Sequence, residues 1–166
     1  MPLQDAFRAS IGQKRKQGIV KALKWSADLS IGIDIIDGQH QRIVTYINQL
    51  NEARETHDKK LVGKVLEGLS DYTLSHFGFE EDMMDAARFS GAAHHRRGHE
   101  RFARQLTEYG QRYALGEEVA SEVLDTLNKW LLNHIQREDR DYMDAVKSAL
   151  SVQQMEEIFA GRSGAR

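Results

Sequence analysis

Along most of the chain, apolar side chains recur every three or four residues, the period of an α-helix with one buried face. Ile36, His40, Ile43, Ile47 and Leu50 form the first such stripe. A second follows Asp58, a plausible N-cap, and runs through Leu61, Val65, Leu69, Tyr72, His76, Glu80 and Met83. Ser90 and Gly91 interrupt it, and a third stripe takes in His95, His99, Phe102, Leu106, Tyr109 and Tyr113. Gly116 can end that helix, and Glu117 and Glu118 suit the positive N-terminus of a fourth. The fourth carries Val123, Leu127, Trp130, Leu131, His134, Ile135 and Tyr142. Four helices of roughly 20–30 residues with short connections predict an all-α, antiparallel up-down-up-down four-helix bundle. Ser151 and Gln154 make a capping-box pattern ahead of Met155, Ile158 and Phe159, which predicts a short C-terminal helix whose apolar residues cover the bundle.

Composition narrows the chemistry. The 166 residues include no cysteine, which excludes disulfides, thiolate zinc sites, iron–sulfur clusters and a cysteine nucleophile. The single proline is Pro2, so nothing of that kind breaks the predicted helices. A net charge of −2 gives no footprint for nucleic acid. Mean hydropathy is −0.58, and no apolar run approaches the ~20 residues of a membrane span, so a cytoplasmic protein is expected. The charge is uneven. Residues 1–24 hold Arg8, Lys14, Arg15, Lys16, Lys21 and Lys24 against Asp5. This basic N-terminal extension reads first as a solvated arm, in which Phe7, Ile11, Ile19, Val20 and Leu23 allow a short helix; its charge also suits an acidic protein partner. The division predicted is an extension over 1–24, the bundle over 25–147 and a tail over 148–166.

The candidate chemistry lies where polar residues fall on apolar stripes. His40 sits on the first stripe, His76 and Glu80 on the second, His95 and His99 on the third, and His134 on the fourth. The pairs His76/Glu80 and His95/His99 are four residues apart, about 40° around a helix axis and one turn along it, so both members can reach one metal ion. One histidine on an apolar face is ordinarily a satisfied core residue. Five converging from all four helices, each costing ~1–3 kcal/mol if left unpaired, are better explained by metal coordination. The same spacing rule prefers His95 to His94 and, on the fourth helix, Glu138 to Asp139 as the partner of His134. His57 falls off the stripes and reads as a surface residue.

These residues resemble the hemerythrin-like family, specifically its bacterial branch. The likeness is carried by Ile33-Asp34-Ile35-Ile36-Asp37-Gly38-Gln39-His40, by His76-Phe77-Gly78-Phe79-Glu80, by His95-Arg96-Arg97-Gly98-His99, and by His134 followed five residues later by Asp139. It covers about residues 25–147. The resemblance implies His40, His76, Glu80, His95, His99, His134 and Asp139 as ligands, with Asp139 in place of Glu138. It also implies two iron ions joined by an oxo or hydroxo bridge. His95, His99 and His134 would serve one iron; His40 and His76 would serve the other, which keeps an open position where dioxygen binds end-on. Ile43, Phe77, Trp130 and Leu131 are candidates for lining the oxygen pocket. The ring nitrogens that face away from a metal need acceptors; Asp37 and Gln39 lie beside His40, with no role assigned by the sequence. Gly98, costing about 1 kcal/mol against alanine in a helix, is expected to permit close packing.

A reversible oxygen binder, for storage, delivery or sensing, is thus the expected function, and not an enzyme. Two alternatives remain: a di-iron redox enzyme (ferroxidase, peroxidase or nitric-oxide handling) and an oxygen-sensing interaction module. Carboxylate-rich di-iron enzymes use Glu-x-x-His motifs, and this chain contains none.

Overall fold

The structure is a computed structural model in which residues 22–163 are described. The basic arm, including the short helix expected there, lies outside them apart from Ala22, Leu23 and Lys24. Among the described residues there are six α-helices: α1 (Asp34–Glu55), α2 (Lys59–Ala86), α3 (Ala92–Ala114), α4 (Ala120–Asn133), α5 (Asp139–Ala149) and α6 (Val152–Ser163). A π turn, His134–Glu138, joins α4 to α5 as one continuous rod. No strand occurs among the described residues, and no helix there is long and apolar enough to cross a membrane.

The bundle is antiparallel. Gln39 near the start of α1 meets His76 late in α2. Arg96 near the start of α3 meets Asp85 at the end of α2. Tyr109 late in α3 lies 2.8 Å, hydroxyl to hydroxyl, from Thr126 in α4. His40 on α1 faces Asp139 at the start of α5. The core runs the length of the bundle, with Ile47, Leu50, Leu69, Val123, Leu124 and Leu127 fully or almost fully buried in the half remote from the histidines.

Local chemistry sets the ends. Asp58 caps α2 as its sequence suggests, its carboxylate accepting the Leu61 N–H at 2.9 Å. Gly116, at φ +90°, supplies the left-handed turn after α3. The fourth rod starts at Ala120, later than the acidic pair implied. Glu117 instead accepts from Arg112 Nε at 2.8 Å and Glu118 pairs with Lys59 at 2.9 Å, so specific cations rather than a helix end hold these acids. Ahead of α1, the Asp37 carboxylate accepts from Ser30 Oγ, Ile31 N–H and Gly32 N–H. Gly32 there has φ +70°, which a side chain would strain. The capping box of α6 forms in both directions: Ser151 N–H donates to Gln154 Oε1 at 2.8 Å, and Gln154 N–H to Ser151 Oγ at 3.2 Å.

Candidate metal centre

The seven candidate ligands come together at one end of the bundle. His40 comes from the second turn of α1, His76 and Glu80 from late α2, and His95 and His99 from the first turns of α3. His134 and Asp139 flank the π turn. None is more than 5% exposed. His94 is exposed, in keeping with the preference for His95, and His57 is exposed as expected. The donor atoms form two overlapping groups, each within 4.8 Å: His40, His76, Glu80 and His134, and Glu80, His95, His99 and His134. Asp139 spans them, with Oδ2 3.1 Å from His40 Nε2 and Oδ1 3.5 and 3.2 Å from His95 and His134 Nε2.

The π turn settles which carboxylate faces inward. Regular α-helical spacing favours Glu138, but the Asp139 N–H donates to the His134 carbonyl, five residues back. A π turn holds one more residue than an α turn, so Asp139 enters the centre and Glu138 moves to its edge. There Glu138 Oε2 accepts the His134 Nδ1–H at 3.0 Å.

The residues fit a bound cation. All five Nε2 atoms, Glu80 Oε2 and both Asp139 oxygens are buried without a hydrogen-bond partner among the described residues. They approach one another at 3.1–3.8 Å around a shared space. Left so, each would cost ~1–3 kcal/mol; a metal ion is the partner that such a set lacks. The outward nitrogens of His76, His99 and His134 are held from behind, whereas His40 Nδ1 is buried without a partner among the described residues. His76 Nδ1–H donates to Gln39 Oε1 at 2.7 Å and His99 Nδ1–H to Glu81 Oε1 at 2.9 Å. With Nδ1 protonated, Nε2 is the free lone pair. The Tyr142 hydroxyl donates to Glu80 Oε1 at 2.5 Å, leaving Oε2 toward the histidines.

In the sequence Glu138 is only a rival ligand, Tyr142 only a stripe residue, and Gln39 carries no role. Glu81, unremarked there, carried one usable signal: it adjoins Glu80. Asp37, the other residue left open, clamps the loop before α1 and does not touch a histidine ring.

Without metal the centre is electrostatically divided. Burial opposes the charge on Glu80, but His76 and the approach of His134, His95 and His99 outweigh it and hold its carboxyl well below the usual range. Asp139 moves the other way, raised by burial and then by the Glu80 charge. Burial pushes His76 well down. His134 is pushed up to about 10: burial resists, but Asp139, Glu138 and Glu80 together prevail. Tyr142 is held well above the usual phenol range by burial and the neighbouring carboxylates.

The four candidate pocket residues divide. Ile43 and Leu131 are fully buried core residues. Phe77 stacks on His99 with ring centres 3.8 Å apart, and Trp130 stacks on His134 at 4.4 Å and on Phe102 at 3.8 Å. Both aromatics therefore wall the half containing His99 and His134. On the other half, Trp25 lies 6.3 Å from His40, centre to centre. Gly98 is not needed for close packing: a Cβ there would meet Glu138 Oε2 at 3.5 Å, an ordinary contact.

Known proteins share the fold and much of the sequence. The bacteriohemerythrin of Stenotrophomonas maltophilia (strain R551-3) is 43% identical over 129 residues, covering 78% of this chain and 84% of the relative. That of Methylococcus capsulatus (strain Bath) is 28% identical over 122 residues, covering 72% and 93%. The crystal structure of wild-type hemerythrin superposes with a TM-score of 0.72 at 26% identity, covering 75% of this chain and 97% of that one. The profile of the hemerythrin HHE cation binding domain matches residues 31–146. With four helices delivering its buried histidines and carboxylates to one point, the chain belongs to the hemerythrin family.

Proposed function

We propose that this protein holds two iron ions in the centre and binds dioxygen reversibly, acting as an oxygen binder rather than an enzyme. The observation that carries the reading is the lopsided donor set: the rings of His95, His99 and His134 lie 4.5–5.2 Å apart, those of His40 and His76 lie 4.8 Å apart and 6.2–6.3 Å from His134, and Asp139 reaches both sets with separate oxygens. Nitrogen and oxygen donors without thiolate suit iron. A pair of ferrous ions held there would supply the electrons for reversible dioxygen binding on the side with fewer imidazoles.

The chain's own residues serve that task in three ways. Gln39, Glu81 and Glu138 fix the tautomer and tilt of His76, His99 and His134. Tyr142 donates a hydrogen bond to the outer oxygen of Glu80 and so fixes the tilt of that carboxylate. Phe77, Trp130, Ile43 and Leu131 keep bulk water from the histidine rings, which favours release of intact dioxygen over its further reduction.

An optical titration tests the reading. The iron-loaded protein is reduced without air, exposed to oxygen and then flushed with argon. A visible charge-transfer band that rises and fades with oxygen, at two irons per chain, is expected. One irreversible oxidation would favour the redox-enzyme alternative, and failure to take up iron would refute both.

A further inference from the structure

Helix α6 lies beyond the stretch matched by the family profile, yet it covers the flank of the centre. Beneath it is a cavity of about 290 Å³. Its walls are Gln39, Tyr72, Ser75, His76 and Phe79 from the bundle, with Phe159 and Arg162 contributed by α6. The cavity thus reaches the back of a candidate ligand ring, His76, and the amide that orients it. We propose that α6 is a hinged strap over a passage to the His76 side of the centre, and that the Arg162–Asp82 pair is its latch.

Three features support a strap that opens. First, α6 has 12 residues, a length at which an isolated helix is marginal in water. It is helical because it is docked, so its release is a local event far easier than unfolding the bundle. Second, beyond Ile158, which packs against the core, its far end is fastened by partly exposed groups. Arg162 Nε meets Asp82 Oδ2 at 2.5 Å, with both side chains more than one-third exposed. Phe159 packs edge-on against Phe79 at 5.4 Å and is itself 41% exposed. Met155, at the near end, is buried and forms the hinge side. Third, the latch has a fitted seat. Gly78 exposes bare backbone on α2 where the Arg162 guanidinium lies: an added Cβ would stand 2.1 Å from Nη1. The guanidinium is the movable end of a long side chain, so a methyl at Gly78 displaces the latch and leaves α2 intact.

The passage is sized for small molecules, dioxygen among them under the function proposed above. The latch, however, is testable in metal-free protein, where failure of the iron reading has no bearing. The test is the rate at which diethyl pyrocarbonate modifies each histidine, followed by peptide mass spectrometry. Exposed His57 and His94 report reagent activity, and His134, fully buried at the π turn and not lining the cavity, reports global loosening. Arg162→Glu, which sets like charges together, and Gly78→Ala should each accelerate modification of His76 by roughly fivefold, the range set by a partly exposed ion pair. His134 should not change. The exchanged pair Asp82→Arg/Arg162→Asp should return His76 toward the native rate. An unchanged His76 rate in both single variants, or a rise matched by His134, overturns the strap.

Discussion

Replacing Tyr142 by phenylalanine isolates one hydrogen bond in the centre. The side chain is fully buried, and its hydroxyl donates to Glu80 Oε1 at 2.5 Å. Phenylalanine keeps the ring and removes only the oxygen, so the packing penalty of a cavity is small. The acceptor is a buried carboxylate held well below its usual pKa, hence charged at neutral pH. A hydrogen bond to such a group contributes about 1.5–3 kcal/mol, and its removal leaves Glu80 Oε1 with no donor. Urea unfolding of the metal-free protein at pH 7 should lose that amount with an unchanged slope, equivalent to a fall in Tm of roughly 3–12 °C for a domain of this size. The sign with pH follows from the depressed carboxyl: the bond's contribution is present above the ordinary carboxylate range and fades as acid protonates Glu80. The difference between native and variant protein should therefore shrink toward low pH. A loss under about 0.5 kcal/mol at pH 7, the size of an ordinary surface substitution, would refute the reasoning.

Further consequences can be measured on the same protein. Asp139→Asn should cut iron content from two per chain to one or none. Glu138→Gln should retain both ions at about 10–100-fold lower affinity, the usual cost of disturbing a ligand's outer partner; equal effects would contradict the register set by the π turn. In the metal-free protein His134 is pushed up to about 10, so its extra stabilisation is complete below the usual histidine value and is lost as pH rises through about 10. Metal must displace that proton. Calorimetry in buffers of different ionisation heats should detect proton release at pH 7, and affinity should rise with pH; no release would contradict the charge state. Gly98→Ala, whose methyl finds ordinary space, should stabilise α3 by up to about 1 kcal/mol in urea unfolding.

The helices, their order and six of the seven converging side chains were legible because burial imposes a period on sequence. His40, His76, Glu80, His95 and His99 keep α-helical step with the apolar residues around them, and the step alone puts them on one face. His134 was legible for the same reason, but its partner was not. Asp139 is out of phase with any α-helical stripe through His134, and only the resemblance to a family selected it. The cap of α2 and the capping box of α6 were likewise readable, since each is closed between residues three apart.

What the tertiary structure decided is what depends on partners distant in the chain. Gln39 adjoins His40 yet orients His76, 37 residues away, because the facing helix presents that ring to it. Tyr142 reads as one more core aromatic until α5 is set against α2, 62 residues away, and its hydroxyl finds Glu80. Glu117 and Glu118 suit a helix start in sequence, but Arg112 and Lys59 claim them once the loop is placed. The π turn is of the same kind. It has no local signature among His134–Glu138, and the placing of a carboxylate between His40 and His134 gives it a reason. Hydrophobic periodicity is a property of each segment alone, so sequence reveals it. Hydrogen bonds between segments, and the turn that serves them, exist only when the segments meet.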